Sequence, residues 1–265
     1  MKFAELLSAV REHPQAVTLP AEWAQGRAGY GGLMAALLFE ALQAKVGKGQ
    51  PVRSLAITFV APAPLLAPIS FEVEVLREGK SVVTLLGRAV AEGGTVTLMQ
   101  ASFGAPRESM IDVPAEPAVA LKPLAESTPL PYIQGVTPEY IRHLDLRWGI
   151  GGLPFTGTPG RQMGGWVRLR DEPGAAPLTE AHLLALVDAW PPAVLPHLNK
   201  PAPGSSLSWT IEFVQPLASL TTQDWCRYCA TIEHARDGYG HAGAMLWTAE
   251  GELIAISRQT VTVFG

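Results

Sequence analysis

The chain has 265 residues, of which 48% are hydrophobic and only 17% charged, which is ample material for a buried core and excludes intrinsic disorder. A net charge of −4 gives no electrostatic footing for nucleic acid or an anionic membrane surface. No apolar run is long enough to span a bilayer, and residues 1–11 mix charges into their apolar positions, unlike a signal peptide, so a soluble cytoplasmic protein without membrane insertion is expected.

Residues 1–12 read as a short amphipathic helix, followed by an extended segment from Val17 to Trp23. Gly26-Arg-Ala-Gly-Tyr-Gly-Gly32 then runs into a helix starting at Leu33. Its apolar residues surround the axis, which predicts a buried helix. The glycine spacing is wrong for a dinucleotide fingerprint. Backbone N–H groups left uncovered at a helix start can instead face a carbonyl oxygen or an anion.

Strands follow near 53–60, 69–77, 81–91 and 95–104, with clean alternation in Phe71-Glu-Val-Glu-Val and a turn at Glu78-Gly-Lys. Between Pro106 and Pro138 there are prolines at 106, 114, 117, 123, 129, 131 and 138, which forbids a regular helix or a central strand and predicts a tether across the surface. The glycine-rich passage from Gly149 to Gly165 lacks the Lys-Ser/Thr of a phosphate loop. After a strand from Trp166, residues 177–188 read as a second buried helix, with Thr179 as N-cap and Pro191-Pro192 as its stop.

The strands are written twice. Ser54-Leu-Ala-Ile-Thr-Phe-Val-Ala-Pro62 returns as Ser208-Trp-Thr-Ile-Glu-Phe-Val-Gln-Pro216, 154 positions later. Ala91-Glu-Gly-Gly returns as Ala249-Glu-Gly-Glu, 158 positions later, so the second copy carries a short insertion. Each copy is a buried helix followed by a long antiparallel meander, which predicts an α+β chain of two tandem repeats: residues 1–105, a tether over 106–138, and residues 139–265. Cys226 and Cys229 form a CxxC, but they lie on a strand, where residues three apart face opposite ways, so neither a metal site nor a redox pair is expected.

The ordered set Gly-Tyr-Gly-Gly, buried helix, Ser-Leu-x-Ile-x-Phe-Val-x-Pro, Arg77-Glu-Gly-Lys-Ser and Ala101-Ser-Phe-Gly resembles the N-terminal half of the type II acyl-CoA thioesterases. Asp188-Ala-Trp-Pro-Pro, Ser205-Ser-Leu-Ser, Phe213-Val-Gln-Pro and Leu253-Ile-Ala-Ile-Ser-Arg-Gln continue the likeness through the C-terminal half. The resemblance implies a double hotdog, each repeat a long helix wrapped by an antiparallel sheet. It implies acyl-CoA as substrate, no cofactor, and a homodimer formed by edge-to-edge sheet pairing. It also implies that an Asp, a hydroxyl and a Gln hold the hydrolytic water: Asp188, Ser206 (with Ser205 or Ser208 under a small shift) and Gln259. Two departures stand out. The hydroxyl is Ser where the family has Thr, and the family's following Asp-His is Ser208-Trp209.

The chemistry is sound on its own terms. Thioester hydrolysis needs an activated water and a home for an oxyanion. Asp188 follows Leu183, Leu184, Leu186 and Val187 in the last turn of its helix, where burial and the helix dipole both raise its pKa. Ser206 and Gln259 supply donors and acceptors to orient a water, and the N–H groups of Gly31 and Gly32 are oxyanion candidates. In the first copy, Ser206 falls opposite Val52, Gln259 opposite about Ala101, and Asp188 near Phe39 or Glu40, which predicts one chemical site per chain. Two other functions fit the same fold. A hotdog enoyl-thioester hydratase or dehydratase would need a His beside an acid, and a non-catalytic acyl-CoA or lipid binder would leave Asp188 exposed or ion-paired. A Ser-His-Asp hydrolase is disfavoured by the lack of Gly-x-Ser-x-Gly.

Overall fold

The computed structural model describes residues 1–46, 50–170 and 174–264. Among the described residues there are three α-helices, α1 (Phe3–Glu12), α2 (Gly31–Gln43) and α3 (Glu180–Val187). The first half contributes strands β1 (Val52–Phe59), β2 (Pro68–Glu78), β3 (Val82–Ala91) and β4 (Gly94–Gly104), within a residue or two of the sequence reading. The second contributes β5 (Leu144–Ile150), β6 (Gln162–Leu169), β7 (Gly204–Phe213), β8 (Cys226–Arg236), β9 (Tyr239–Thr248) and β10 (Leu253–Val263).

All ten join one sheet in the order β2-β3-β4-β1-β7-β10-β9-β8-β6-β5, with two-residue strands at Val17–Thr18 and Thr128–Pro129 closing its edges. The halves meet where β1 pairs antiparallel with β7: Leu55 opposite Ile211, Ala56 opposite Thr210, Ile57 opposite Trp209. Ala56 and Thr210 are repeat equivalents and pair with each other, so a pseudo-twofold axis passes through that pair. Leu55 pairs with Ala101 in the first half and Trp209 with Gln259 in the second. Ala101 and Gln259 therefore hold the same place, as the repeat predicted. Both halves also carry a bulge at equivalent points, one between Val52 and Ser54 and one between Ser206 and Ser208.

The sheet curls around α2 and α3. Helix α2 is apolar all round and buries Leu33, Met34, Leu37, Leu38 and Phe39, each worth about 1.5–3 kcal/mol on leaving water. Helix α3 begins at Glu180 rather than at the expected Pro177. Pro177 and Leu178 are instead extended and paired with Thr221 and Leu220, and the helix starts only at the Thr179 cap, whose hydroxyl meets His182 Nδ1 at 2.8 Å. The glycine-rich passage is largely strand. A Cβ on Gly164 or Gly165 would stand 2.1 or 1.9 Å from a carbonyl oxygen of Tyr228 or Arg147, so β6 can lie between its neighbours only with glycine there.

The latter part of the tether is tied down rather than free: Trp166 Nε1 donates to Lys122 O, and Lys122 N to Gly149 O. Cys226 and Cys229 lie unpaired on β8, and burial pushes their thiols up to about 12 and about 11, which suits packing rather than redox work. Among the described residues no helix is long and apolar enough to cross a membrane.

Candidate active site

Helix α3 ends in orphan carbonyls, as every helix does. Here two phenols take up carbonyls at that end. Tyr30, from the first half, donates its hydroxyl to Ala185 O at 2.5 Å, and Tyr140, from the second, donates to Ala189 O at 3.1 Å. The two rings stack on each other with centroids 4.0 Å apart. This brace fixes the turn that carries Asp188, the C-cap residue of α3.

The N-terminus of α2 abuts that turn. A Cβ on Gly31 would come within 2.9 Å of Asp188 Oδ2, and one on Gly32 within 3.0 Å of Asp188 Cβ, so only glycine allows the approach. The Gly32 backbone N–H lies close enough to the Asp188 carboxylate to lower its pKa. On the other side Gln259 Nε2 donates to Asp188 Oδ1 at 2.8 Å. Burial pushes the Asp188 pKa up to about 7, with the Gln259 and Gly32 donors restraining the rise. The dipole of α3 was expected to add to that rise, yet the opposing N-terminus of α2 faces the same carboxylate, and burial dominates. Among the described residues Asp188 has no ion pair.

The register sorts the three serines by face. Across the β7–β10 ladder, Trp209 is opposite Gln259 and Ser206 opposite the buried Val261, whereas Ser205 and Ser208 are opposite Thr262 and Thr260. Opposed residues share a face, so Ser206 lies on the face of Gln259 and Ser208 on the other, while Ser205, opposite Thr262, joins Ser206 in lining the mouth of the same cavity. The bulge at Leu207 makes this possible by turning Ser206 back to the side that Trp209 occupies.

Asp188, Gln259, Ser206 and Gly31 all line one cavity of about 360 Å³ between the halves. Its first-half wall includes Met34, Phe59, Ala63 and Thr97, and its second-half wall Trp190 and Pro192. Asp188 and Gln259 are in direct contact. Ser206 shares the cavity without a hydrogen bond to either among the described residues. Gly31 faces the cavity, while Gly32 is buried with its N–H directed at Asp188, a different partner from the expected oxyanion.

Among the described residues no histidine lines the cavity. His182, at the far end of α3, has Nδ1 committed to Thr179, and burial lowers its pKa to about 4. Sequence reasoning missed Tyr30, Tyr140 and Trp190. Tyr30 stood inside the Gly-Tyr-Gly-Gly run, but nothing in the sequence said that its hydroxyl would reach the other repeat.

Residues 19–104 match the N-terminal domain of acyl-CoA thioesterases, and residues 119–263 their C-terminal domain. The chain is 25% identical over 250 residues to acyl-CoA thioesterase 2 of Haemophilus influenzae, spanning 87% of this chain and 85% of that protein. A hot dog protein of unknown function from Alicyclobacillus acidocaldarius superposes with a TM-score of 0.80 at 24% identity, covering 94% of this chain and 92% of that one. An acyl-CoA thioesterase II from Mycobacterium marinum superposes at 0.73 with 22% identity and the same coverages, 94% and 92%. These structural likenesses are likenesses of fold.

Proposed function

The chain belongs to the acyl-CoA thioesterase family, both of whose domains it carries in order, and from that premise we propose that it hydrolyses acyl-CoA thioesters at the cavity between its halves, with Asp188 as general base. The observation that carries this reading is a half-buried carboxylate held at 2.8 Å by the Gln259 amide in a cavity reached by both repeats, its pKa pushed up to about 7 by desolvation. Residues 1–105 serve as scaffold and lid, residues 106–138 as the link, and residues 139–265 carry the base.

Asp188 removes a proton from a water that Gln259 and Ser206 orient, and the water oxygen attacks the thioester carbonyl carbon. The carbonyl electrons move onto oxygen, where the N–H of Gly31 at the start of α2 faces the developing charge. Collapse of that intermediate breaks the C–S bond. The departing thiolate recovers the proton from Asp188, giving the free acid and CoA.

The non-catalytic reading draws no support from Asp188, which is neither ion-paired nor solvent-facing in the manner of a surface carboxylate. The hydratase reading lacks its histidine.

The test is free-thiol release from a panel of acyl-CoAs by the wild type and Asp188→Asn. Wild-type kcat/KM is expected to rise with pH through about 7 as the carboxylate ionises. Asp188→Asn is expected to lose about 10²–10⁴ in kcat. The fold should survive it. A folded-state pKa raised above 3.8 means that the wild type binds this proton more tightly when folded, so its stability falls as pH rises from about 4 to about 7, and the variant escapes that loss. Turnover surviving in a folded Asp188→Asn would remove Asp188 from the role of base.

A further inference from the structure

The wall behind the candidate site differs between the halves in a way that bears on the acyl group. The pairings that set Ala101 equivalent to Gln259 also set Leu85 equivalent to Ala242, Met99 to Ser257, and Phe103 to Val261. In the first half these inward residues are large and fully buried, filling the space between sheet and α2. In the second they are small. The indole of Trp190 stands in the room they leave, stacked on Tyr228 at 5.2 Å and tilted against Trp148 at 5.4 Å.

Trp190 does not fill that room completely. Behind it lies a residual slot of about 10 Å³ bounded by Ala230, Ala242, Ala244 and Ser257, and both Ala242 and Ala244 keep partial exposure. Trp190, Pro192 and Gln259 line this slot and the 360 Å³ cavity alike, so the ring is a partition between the two, beside the Asp188–Gln259 pair. The ring is buried, at 5% exposure, and its Nε1–H has no partner among the described residues, so packing and stacking rather than a hydrogen bond hold it in place. The exposed rim of the larger cavity, at Ser205, Leu207 and Phe264, is the side open to a bulky polar carrier, which directs the acyl end inward.

We propose that Trp190 is the floor of the acyl pocket and sets the longest acyl chain the enzyme accepts, the space its indole fills, backed by the alanine-lined slot, being latent room for additional methylenes. This rests on the thioesterase reading of the cavity. A chain stopped by the indole pays in overpacking for each extra methylene. With the indole removed, the same methylenes are buried against alanines, each worth about fourfold in kcat/KM by the usual hydrophobic increment.

The experiment is a chain-length series of straight acyl-CoAs, read by thiol release, on the wild type, Trp190→Ala, Trp190→Phe and the double variant Trp190→Ala/Ala242→Leu. The wild-type profile should fall off at a definite length. In Trp190→Ala the fall-off should move to longer chains, with a gain on the order of tenfold for the first lengths beyond the wild-type limit. The double variant, which restores the first half's leucine, should move it back. Trp190→Phe keeps a ring on Tyr228 and should fold readily, and its profile should shift the same way by less. A profile lowered equally at all lengths by Trp190→Ala, or unmoved by Trp190→Phe and not reversed by Ala242→Leu, overturns the proposal and sends the chain toward Met34 and Thr97. Absence of wild-type turnover at every length counts against the thioesterase reading itself, so the two failures are distinguishable.

Discussion

The two halves of this protein share a register down to the position of a bulge, yet only one holds a polar cluster. At the place of Ser206, Gln259 and Val261 the first half has Val52, Ala101 and Phe103, all fully buried. Phe39, which with Glu40 falls near the place of Asp188 on the helix, stacks on Phe103 with ring centroids 6.1 Å apart and closes the space. Its neighbour Glu40 turns outward to Arg11 of α1 at 2.5 Å. The same backbone thus yields a plugged pocket or an open one, depending on a few side chains. The first half contributes in another way: the N-terminus of α2 and the hydroxyl of Tyr30 reach across to finish the site of the second.

That contrast can be broken residue by residue. Giving the second half the first half's residue, Gln259→Ala, removes a hydrogen bond to a charged group worth about 1.5–3 kcal/mol, so kcat should fall about 10–100-fold. The pH midpoint of kcat/KM should also move above about 7, because a donor that restrains the Asp188 pKa is gone. Initial rates across a pH series read both effects. Ser206→Val, again copying the first half, should cost about tenfold in kcat. It should leave the pH midpoint in place, since Ser206 does not bond to Asp188 here.

The bridge between the halves can be tested at Tyr30→Phe. The buried Ala185 carbonyl loses its partner, and urea denaturation should show about 1–3 kcal/mol of lost stability, while activity falls less than in Gln259→Ala. Smallest of all should be Arg11→Ala. This half-exposed pair with Glu40 belongs to the plugged side, so stability should change by under about 1 kcal/mol and thiol release not at all.

Much of the contrast was legible in the sequence, and its legibility has a physical cause. The alternation in Ser54–Pro62 and its copy fixes which residues face inward, and the 154-residue spacing then aligns Ser206 with Val52 without any structure. Which of Ser205, Ser206 and Ser208 shares the face of Gln259 was not legible, because it turns on a bulge, which leaves no mark in a two-residue period. Nor was the destination of the Gly32 N–H. The glycines announced a close approach but not what approached, since the carboxylate arrives from a helix about 150 residues away in the chain. Pro177 at the head of the run 177–188 likewise read as part of the helix, whereas Pro177 and Leu178 are held extended by Thr221 and Leu220, partners that only folding supplies.

The pairing of Ala56 with its own repeat equivalent Thr210 has a consequence for what the molecule is free to become. Two separate identical subunits meeting on such an axis must carry the same side chain at both members of every equivalent pair, so a plug on one side would be a plug on both. Joining them in one chain lifts that constraint: positions 101 and 259 can hold Ala and Gln at once. It also makes the meeting of one half with the other an intramolecular event. Dilution, which takes apart an active site shared between two subunits, leaves this one whole.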